Sequence, residues 1–261
     1  MPLNVGVGKL AVSSARLPFA EQVDFFQAKL GNLVPTERWT DMMREQHDVA
    51  FMVAGAAKAD LLSDLAAAVD VAITNGTGIE AFRKDFDSIV GRHGWDYRGE
   101  RNWRTRVIFQ TNLTSSYSAG RLKQLRDPDL LRIKPFWMYR HSDGVLNPRP
   151  LHVSWNGLVL PADDQWFRAH YPPNDFGCMC YVVAVSERDA KRLNGRIVDQ
   201  GPEDGTDPGG QPNGIGKGWD YMPGATTVER SIEAKAESLP EALRLDLLAD
   251  IARVKASRGR P

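Results

Sequence analysis

The amino-acid sequence predicts an α+β protein: an N-terminal helical region, then a small mixed β-sheet domain with long loops, then a C-terminal helix. Three observations lead there. From Phe19 to about residue 130, apolar residues recur at helical spacing, as in Phe19, Val23, Phe26 and Leu30. Near Ile133 the pattern changes to short aromatic and β-branched runs bounded by turn residues, which is how strands read. Towards the end, Leu243, Leu247, Leu248, Ile251 and Val254 restore a helical stripe. The implied organisation is an extended arm over residues 1–18, a helical region over 19–130, a sheet domain with Cys- and His-rich loops over 131–225, and a C-terminal helix with a basic tail over 226–261.

Composition narrows the function classes. With 261 residues, 42% apolar and 25% charged, the chain can bury the core of an ordinary soluble globular protein. Lys plus Arg equals Asp plus Glu at 33 each, so no global field draws it to nucleic acid or to a membrane, and only local charge asymmetry can. No apolar run reaches the ~18 residues of a membrane span, and MPLNVGVGKLAVSSARLPF lacks a signal-peptide core. The expectation is a chain that is intracellular when made, with no membrane partner.

In chain order, residues 1–18 show weak periodicity and read as an arm that lies on a neighbour or stays disordered. The first helix follows Pro18 and stops at Gly31-Asn32. Residues 41–57 read as helical, with Trp39, Met42, Met43, Val49, Phe51, Met52 and Val53 apolar around them. Lys58 to Ile73 continues through Leu61, Leu65 and Val69 to a stop at Asn75-Gly76. Thr77-Gly-Ile-Glu80 has the form of a capping box opening a helix with Phe82, Phe86 and Ile89 inward, closed by Gly91 to Gly94. These stripes read as core.

The helix over about Glu100 to Arg126 differs, because Arg98, Arg101, Arg104, Arg106, Arg121, Lys123 and Arg126 face a single acid, Glu100. Arg101, Arg104, Arg106, Arg121 and Lys123 are therefore candidates for contact with nucleic acid or an acidic partner, a solvated basic face being the alternative. Its middle, Gln110 to Gly120, is small and polar, suited to close packing along a buried helix. Asp127-Pro128 ends it. Ile133 to Tyr139, Leu151 to Leu160 and Tyr181 to Val185 read as strands. Ser186 to Asn194 is a serine-capped helical turn, Gly201 to Gly218 a loop, and Ser238-Leu-Pro240-Glu241 a capping box for the last helix.

Residues 137–183 gather three of the five histidines and both cysteines, spaced His141-x10-His152-x17-His170-x7-Cys178-x-Cys180. Two cysteines one residue apart cannot easily close a relaxed disulfide, so they are thiols or metal ligands. In the metal reading Cys178 and Cys180 supply thiolates and His141 and His152 imidazoles, closing a tetrahedral zinc site that staples long loops, with His170 as a substitute ligand. The alternatives are buried thiols beside hydrogen-bonded histidines, or catalysis on nucleic acid. In the latter His141 and His152 act as general base and acid and Arg149 stabilises a phosphorane, with Asp143 and Asp163 as orienters or metal ligands.

Several of these residues also carry a resemblance. The run Arg104-Thr-Arg106-Val-Ile-Phe-Gln-Thr111-Asn112 with Ala119-Gly120-Arg121, then Arg140-His141, Asp143-Gly144, Arg149-x-x-His152, Gly157, Asp163, Trp166, Pro172-Pro173, Gly177-Cys178-x-Cys180 and Gly218-Trp-Asp-Tyr-Met-Pro-Gly224, resembles the phage Mu F-like minor head protein family, the head morphogenesis proteins of tailed phages. The similarity spans about residues 20–224, and the order of the pieces makes it specific. Met179 departs from it, standing where the family more often has a basic residue. The resemblance implies a non-enzymatic minor head protein made in the host cytoplasm and built into the virion near the portal. It would support procapsid assembly and DNA packaging, with the portal, the major capsid or scaffold proteins and packaged DNA as partners.

Overall fold

The structure, a computed structural model, describes residues 19–145, 147–226, 236–237 and 239–258. The helical part consists of α1 (Ala20–Gln27), the single turn α2 (Gln46–Val49), α3 (Ala59–Asn75), α4 (Ile79–His93) and α5 (Arg101–Leu125). Helices α3 and α4 end at Gly76 and Gly94, whose φ values of 62° and 59° are the left-handed conformation that glycine adopts without steric cost. The apolar stripes meet in one core that includes Phe26, Leu61, Leu65, Val69, Phe82, Phe86 and Phe109. Burying side chains of this size stabilises each by about 1.5–3 kcal/mol.

Helix α5 connects this core to a second one. Ile108 and Phe109 belong to the helical core, whereas Leu122 and Leu125 pack under the sheet. Its polar middle does what small polar residues in a packed helix can do. Thr105 and Ser116 hydroxyls donate back to the Arg101 and Asn112 carbonyls (2.8 and 2.7 Å), and the Gln22 side chain on α1 donates to the Leu113 carbonyl and Ser116 Oγ (3.2 and 3.1 Å). Gly120 permits this approach: a Cβ there would lie 2.7 Å from the Gln22 backbone nitrogen. Gly120→Ala should push α1 off α5 and destabilise the fold by about 1–3 kcal/mol; an unchanged urea midpoint would show that α1 is not held at this point.

The sheet part follows α6 (Pro128–Ile133) as β1 (Phe136–Arg140), α7 (Pro150–Ser154), β2 (Leu158–Pro161), α8 (Phe167–His170), β3 (Tyr181–Val185), α9 (Glu187–Arg192) and β4 (Arg196–Ile197). Strand order is β3-β1-β2-β4, with β1 antiparallel to β2 and β3, and β2 parallel to β4. Side chains alternate across it: Trp137, Tyr139 and Val182 face Trp155, Trp166 and Phe167, and Met138, Val159 and Val185 face Ala190 of α9. Helix α10 (Glu241–Arg258) ends the described chain. The class is α+β, as expected.

Some local expectations fail for identifiable reasons. Residues 41–57 are not a continuous helix. After a 3-10 turn at Trp39–Asp41 and α2, residues 51–53 run extended beside the segment after Asn32 and turn at 54–55, with Phe51 N donating to the Asn32 carbonyl and Gly55 N to the Thr36 carbonyl (3.0 and 2.9 Å). Three consecutive apolar residues, Phe51 to Val53, suit an extended segment better than one helix face. Leu151 to Leu160 is not one strand: Pro150 opens α7, and Gly157 with φ 80° turns the chain before β2 begins. Likewise Ile133 ends α6, and β1 begins at Phe136. Helix α4 is capped by Gly78, not by a Thr77–Glu80 box, because Glu80 pairs with Arg83. The arm over 1–18, Ser238 and the last three residues of the basic tail lie outside the described residues.

His47 on α2 carries a pH prediction. Its Nε2 donates to the Met42 carbonyl (3.0 Å), and burial, reinforced by the Lys29 charge, depresses its pKa from 6.5 to about 4. A folded pKa below the unfolded one gives stability that is complete above 6.5 and lost as pH falls to about 4. The melting temperature should therefore decline across that window, and His47→Asn should flatten this part of the profile.

Candidate metal centre

The strand register builds the site. Continuing the β1–β3 pairing by one step beyond Arg140↔Tyr181 sets His141 opposite Cys180, and the Cys180 sulfur lies 3.5 Å from His141 Nδ1. Pro150 starts α7 so that its first turn carries His152 inward, to 1% exposure. His152 Nδ1 lies 3.7 Å from both Cys178 Sγ and Cys180 Sγ. The ligand atoms of His152, Cys178 and Cys180 all fall within 4.8 Å of one another. Zn–S bonds of about 2.3 Å and Zn–N bonds of about 2.0–2.1 Å at tetrahedral angles put N and S about 3.6 Å apart, which is the spacing found here.

The surroundings suit a metal ligand. His152 Nε2 donates to the Gly214 carbonyl (2.7 Å), which leaves Nδ1 as the lone-pair nitrogen aimed at both sulfurs. Its ring stacks on Trp155, whose Nε1 donates to Asp204 (2.7 Å). Both cysteines are free and buried. Cys180 is lowered to about 7, chiefly by the hydrogen bond from the Cys178 thiol and against burial, with further help from the Tyr139 hydroxyl and the Ser142 backbone. Cys178 is raised in turn, first by that same hydrogen bond and then by burial. The pair thus gives up one proton readily and holds the second, which a divalent cation would displace. The Tyr139 hydroxyl is buried with the Cys180 sulfur as its neighbour and no oxygen or nitrogen partner.

The other candidates lie differently. His141 is half-buried and reaches Cys180, with its backbone held by Asn156 Oδ1 (3.1 Å). His170 is not drawn into the three-residue group: its Nδ1 donates to the Trp166 carbonyl (2.9 Å), its ring stacks on Trp166, and burial lowers its pKa. Arg149 binds Asp175 (2.8 Å) and the Phe176 carbonyl (3.0 Å), while Asp143 and Asp163 are exposed. Gly214, Tyr139, Trp155 and Asp175 were not foreseen as parts of the site. Only Asp175 had a sequence signal, its place in the Pro172-Pro173-Asn-Asp turn.

The basic helix does not present its charges on one face. Arg101 makes a two-pronged contact with Asp87 (2.6 Å each), and Arg104 is buried, donating to the Arg98 and Ala54 carbonyls. Arg121 turns to Gln124, Lys123 stands 4.0 Å from Asp24, and Arg106 is exposed.

Comparison with known proteins matches residues 63–183, a span that holds all four candidate ligands, to the family described as Phage Mu protein F like protein. Over 249 residues, 81% of this chain, the sequence is 29% identical to "Putative capsid assembly protein F" of Escherichia phage Mu, covering 55% of that protein. Over 163 residues, 58% of this chain, it is 33% identical to the Mu-like prophage FluMu F protein of Haemophilus influenzae, covering 38% of it. The chain thus spans about half, or less, of the length of these relatives. No solved structure matches it. With the motif series from Arg104 to Gly224 and the α+β architecture already established, these matches make the chain similar, over residues 63–183, to the family described as Phage Mu protein F like protein.

Proposed function

We propose that the chain is a structural component of a phage head that supports procapsid assembly. It works near the portal, contacts the portal and the major capsid or scaffold proteins, aids DNA packaging, and is carried in the virion after synthesis in the host cytoplasm. The observation that carries this is the similarity, over 81% of the chain, to a protein named for capsid assembly. The site geometry favours a structural over a hydrolytic role. His152 is sealed from solvent, Arg149 is tied to Asp175, and neither they nor His141 line the large cleft of the molecule. A nuclease would need the three to converge on an open site with room for a phosphodiester.

Within this reading His152, Cys178 and Cys180 hold a zinc ion with His141 as the fourth ligand. Bound there, zinc supplies a cross-link between the β1 end, α7 and the loop before β3. The charges on α5 that are not buried or paired at short range, Arg106, Arg121 and Lys123, are the ones offered to packaged DNA or an acidic partner. If the contact is to DNA, duplex binding should fall steeply with salt, and Arg106→Ala and Lys123→Ala should each reduce the salt slope by about 1.

The assembly role is tested by omitting the chain from a phage genome that encodes it and supplying it in trans. Omission should sharply lower the yield of filled heads, resupply should restore it, and the chain should copurify with procapsids. Normal heads without the chain would overturn the proposal.

A further inference from the structure

A cleft of about 1060 Å³ lies between residues 37–57, the N-terminal half of α5 and residues 217–221. Its walls expose Trp39, Trp103 and Phe176, side chains that are 43%, 54% and 39% accessible. Five cations line it against two acids, Glu37 and Asp96, in a chain whose overall charge is zero. Two of those cations are buried. Arg104 has backbone carbonyls for partners, but the Lys29 ammonium, in a residue 4% exposed, rests 4.3 Å over the Phe25 ring. Among the described residues no carboxylate makes an ion pair with it, and buried Asp48 is the acid whose charge acts on it. A desolvated, unpaired ammonium is costly, and facing a cleft it calls for an anion from outside. The cleft therefore asks for apolar side chains accompanied by a carboxylate.

The same chain carries such a surface elsewhere. Helix α10 leaves Leu243 and Leu245 57% and Leu248 37% exposed, and among its described side chains Ile251 alone is buried. Helices of this length are marginal in water without packing, so those leucines need cover. Glu241, Leu245 and Leu248 fall at i, i+4 and i+7, on one face, which puts a carboxylate beside two leucines. No residue of α10 lines the cleft of its own chain.

We infer that α10 of a second copy docks in this cleft, its leucines against Trp39, Trp103 and Phe176 and its carboxylates facing Lys29. The contact is head-to-tail, joining two different surfaces, so each copy keeps one free cleft and one free helix and further copies can add. The favoured occupant is protein because the cations are few and the deepest are enclosed, whereas a phosphate backbone tracks a run of exposed cations. This inference stands independently of the head-assembly reading.

Light scattering on the full chain over a concentration series tests it. The wild type should form multiples of the 29.0 kDa monomer, and salt should weaken them. Leu245→Asp and Trp103→Glu should each raise the dissociation constant at least tenfold. Both positions are exposed, and Trp39→Glu serves if the Trp103 variant fails to fold. Mixing the helix variant with the cleft variant leaves one intact pair of surfaces and should give a dimer that grows no further. A wild type monomeric at every concentration, variants that associate normally, or a mixture that stays monomeric would each overturn the inference. So would a single-stranded oligonucleotide that binds the wild type, is lost with Trp103→Glu, and is not displaced by a peptide of residues 236–258.

Discussion

Cys178→Ser and Cys180→Ser should each strip the protein of metal and lower the melting temperature of the whole fold. Purified wild type is expected to carry about one equivalent of zinc, because a site of protein ligands holds its ion tightly and the binding free energy is part of the folding free energy. Chelation should lower the stability of the wild type and leave the serine variants unaffected. Acid should release the ion, since protons compete for thiolate and imidazole. The ligands should not weigh equally. His152→Asn removes a nitrogen that faces both sulfurs, whereas His141→Asn removes one that reaches Cys180, so metal loss should be greater for the first. If no metal is held, the serine substitutions should cost only the ~1–3 kcal/mol of burying a hydroxyl, and chelators should do nothing. Elemental analysis together with chelator-dependent melting separates the two outcomes.

Phe86→Ala should be among the most damaging changes in the helical half, at about 3–5 kcal/mol. The ring is 0% exposed, and its centroid lies 5.1 Å from Tyr97, 6.0 Å from Trp95 and 6.3 Å from Phe82. Truncation removes edge-to-face contacts on two sides and leaves a cavity that the flanking helices cannot fill without moving. A domain of this size has a total stability of about 0.05–0.15 kcal/mol per residue, so the loss is a substantial part of it. Because α5 contributes Ile108 and Phe109 to this core and Leu122 and Leu125 to the other, the two halves should melt together. Urea denaturation read by far-ultraviolet circular dichroism and by tryptophan fluorescence tests this. Separate transitions by the two probes would show that α5 does not couple them.

The helices α3, α4 and α5 were legible in the sequence because a long amphipathic period is a local property, and glycine at a left-handed terminus is a local requirement. So was the change to strands near residue 133, since β-branched and aromatic runs report a half-buried extended surface wherever they occur. The donor types of the candidate metal site were also there to be read, as a close Cys-x-Cys pair with histidines upstream.

Only the tertiary structure decided which of these residues meet. The β1–β3 register sets His141 against Cys180, and the Pro150 turn swings His152 between the sulfurs, while the Trp166 carbonyl takes the Nδ1 proton of His170. The same holds for residues 41–57, whose backbone hydrogen bonds run to residues 32–36 and whose Arg44 pairs with Asp220, 176 positions away. Spacing along a chain determines which side of an element a residue occupies. Which partner it finds depends on long-range contacts, and those set the charge, burial and reach of the side chain that any function must use.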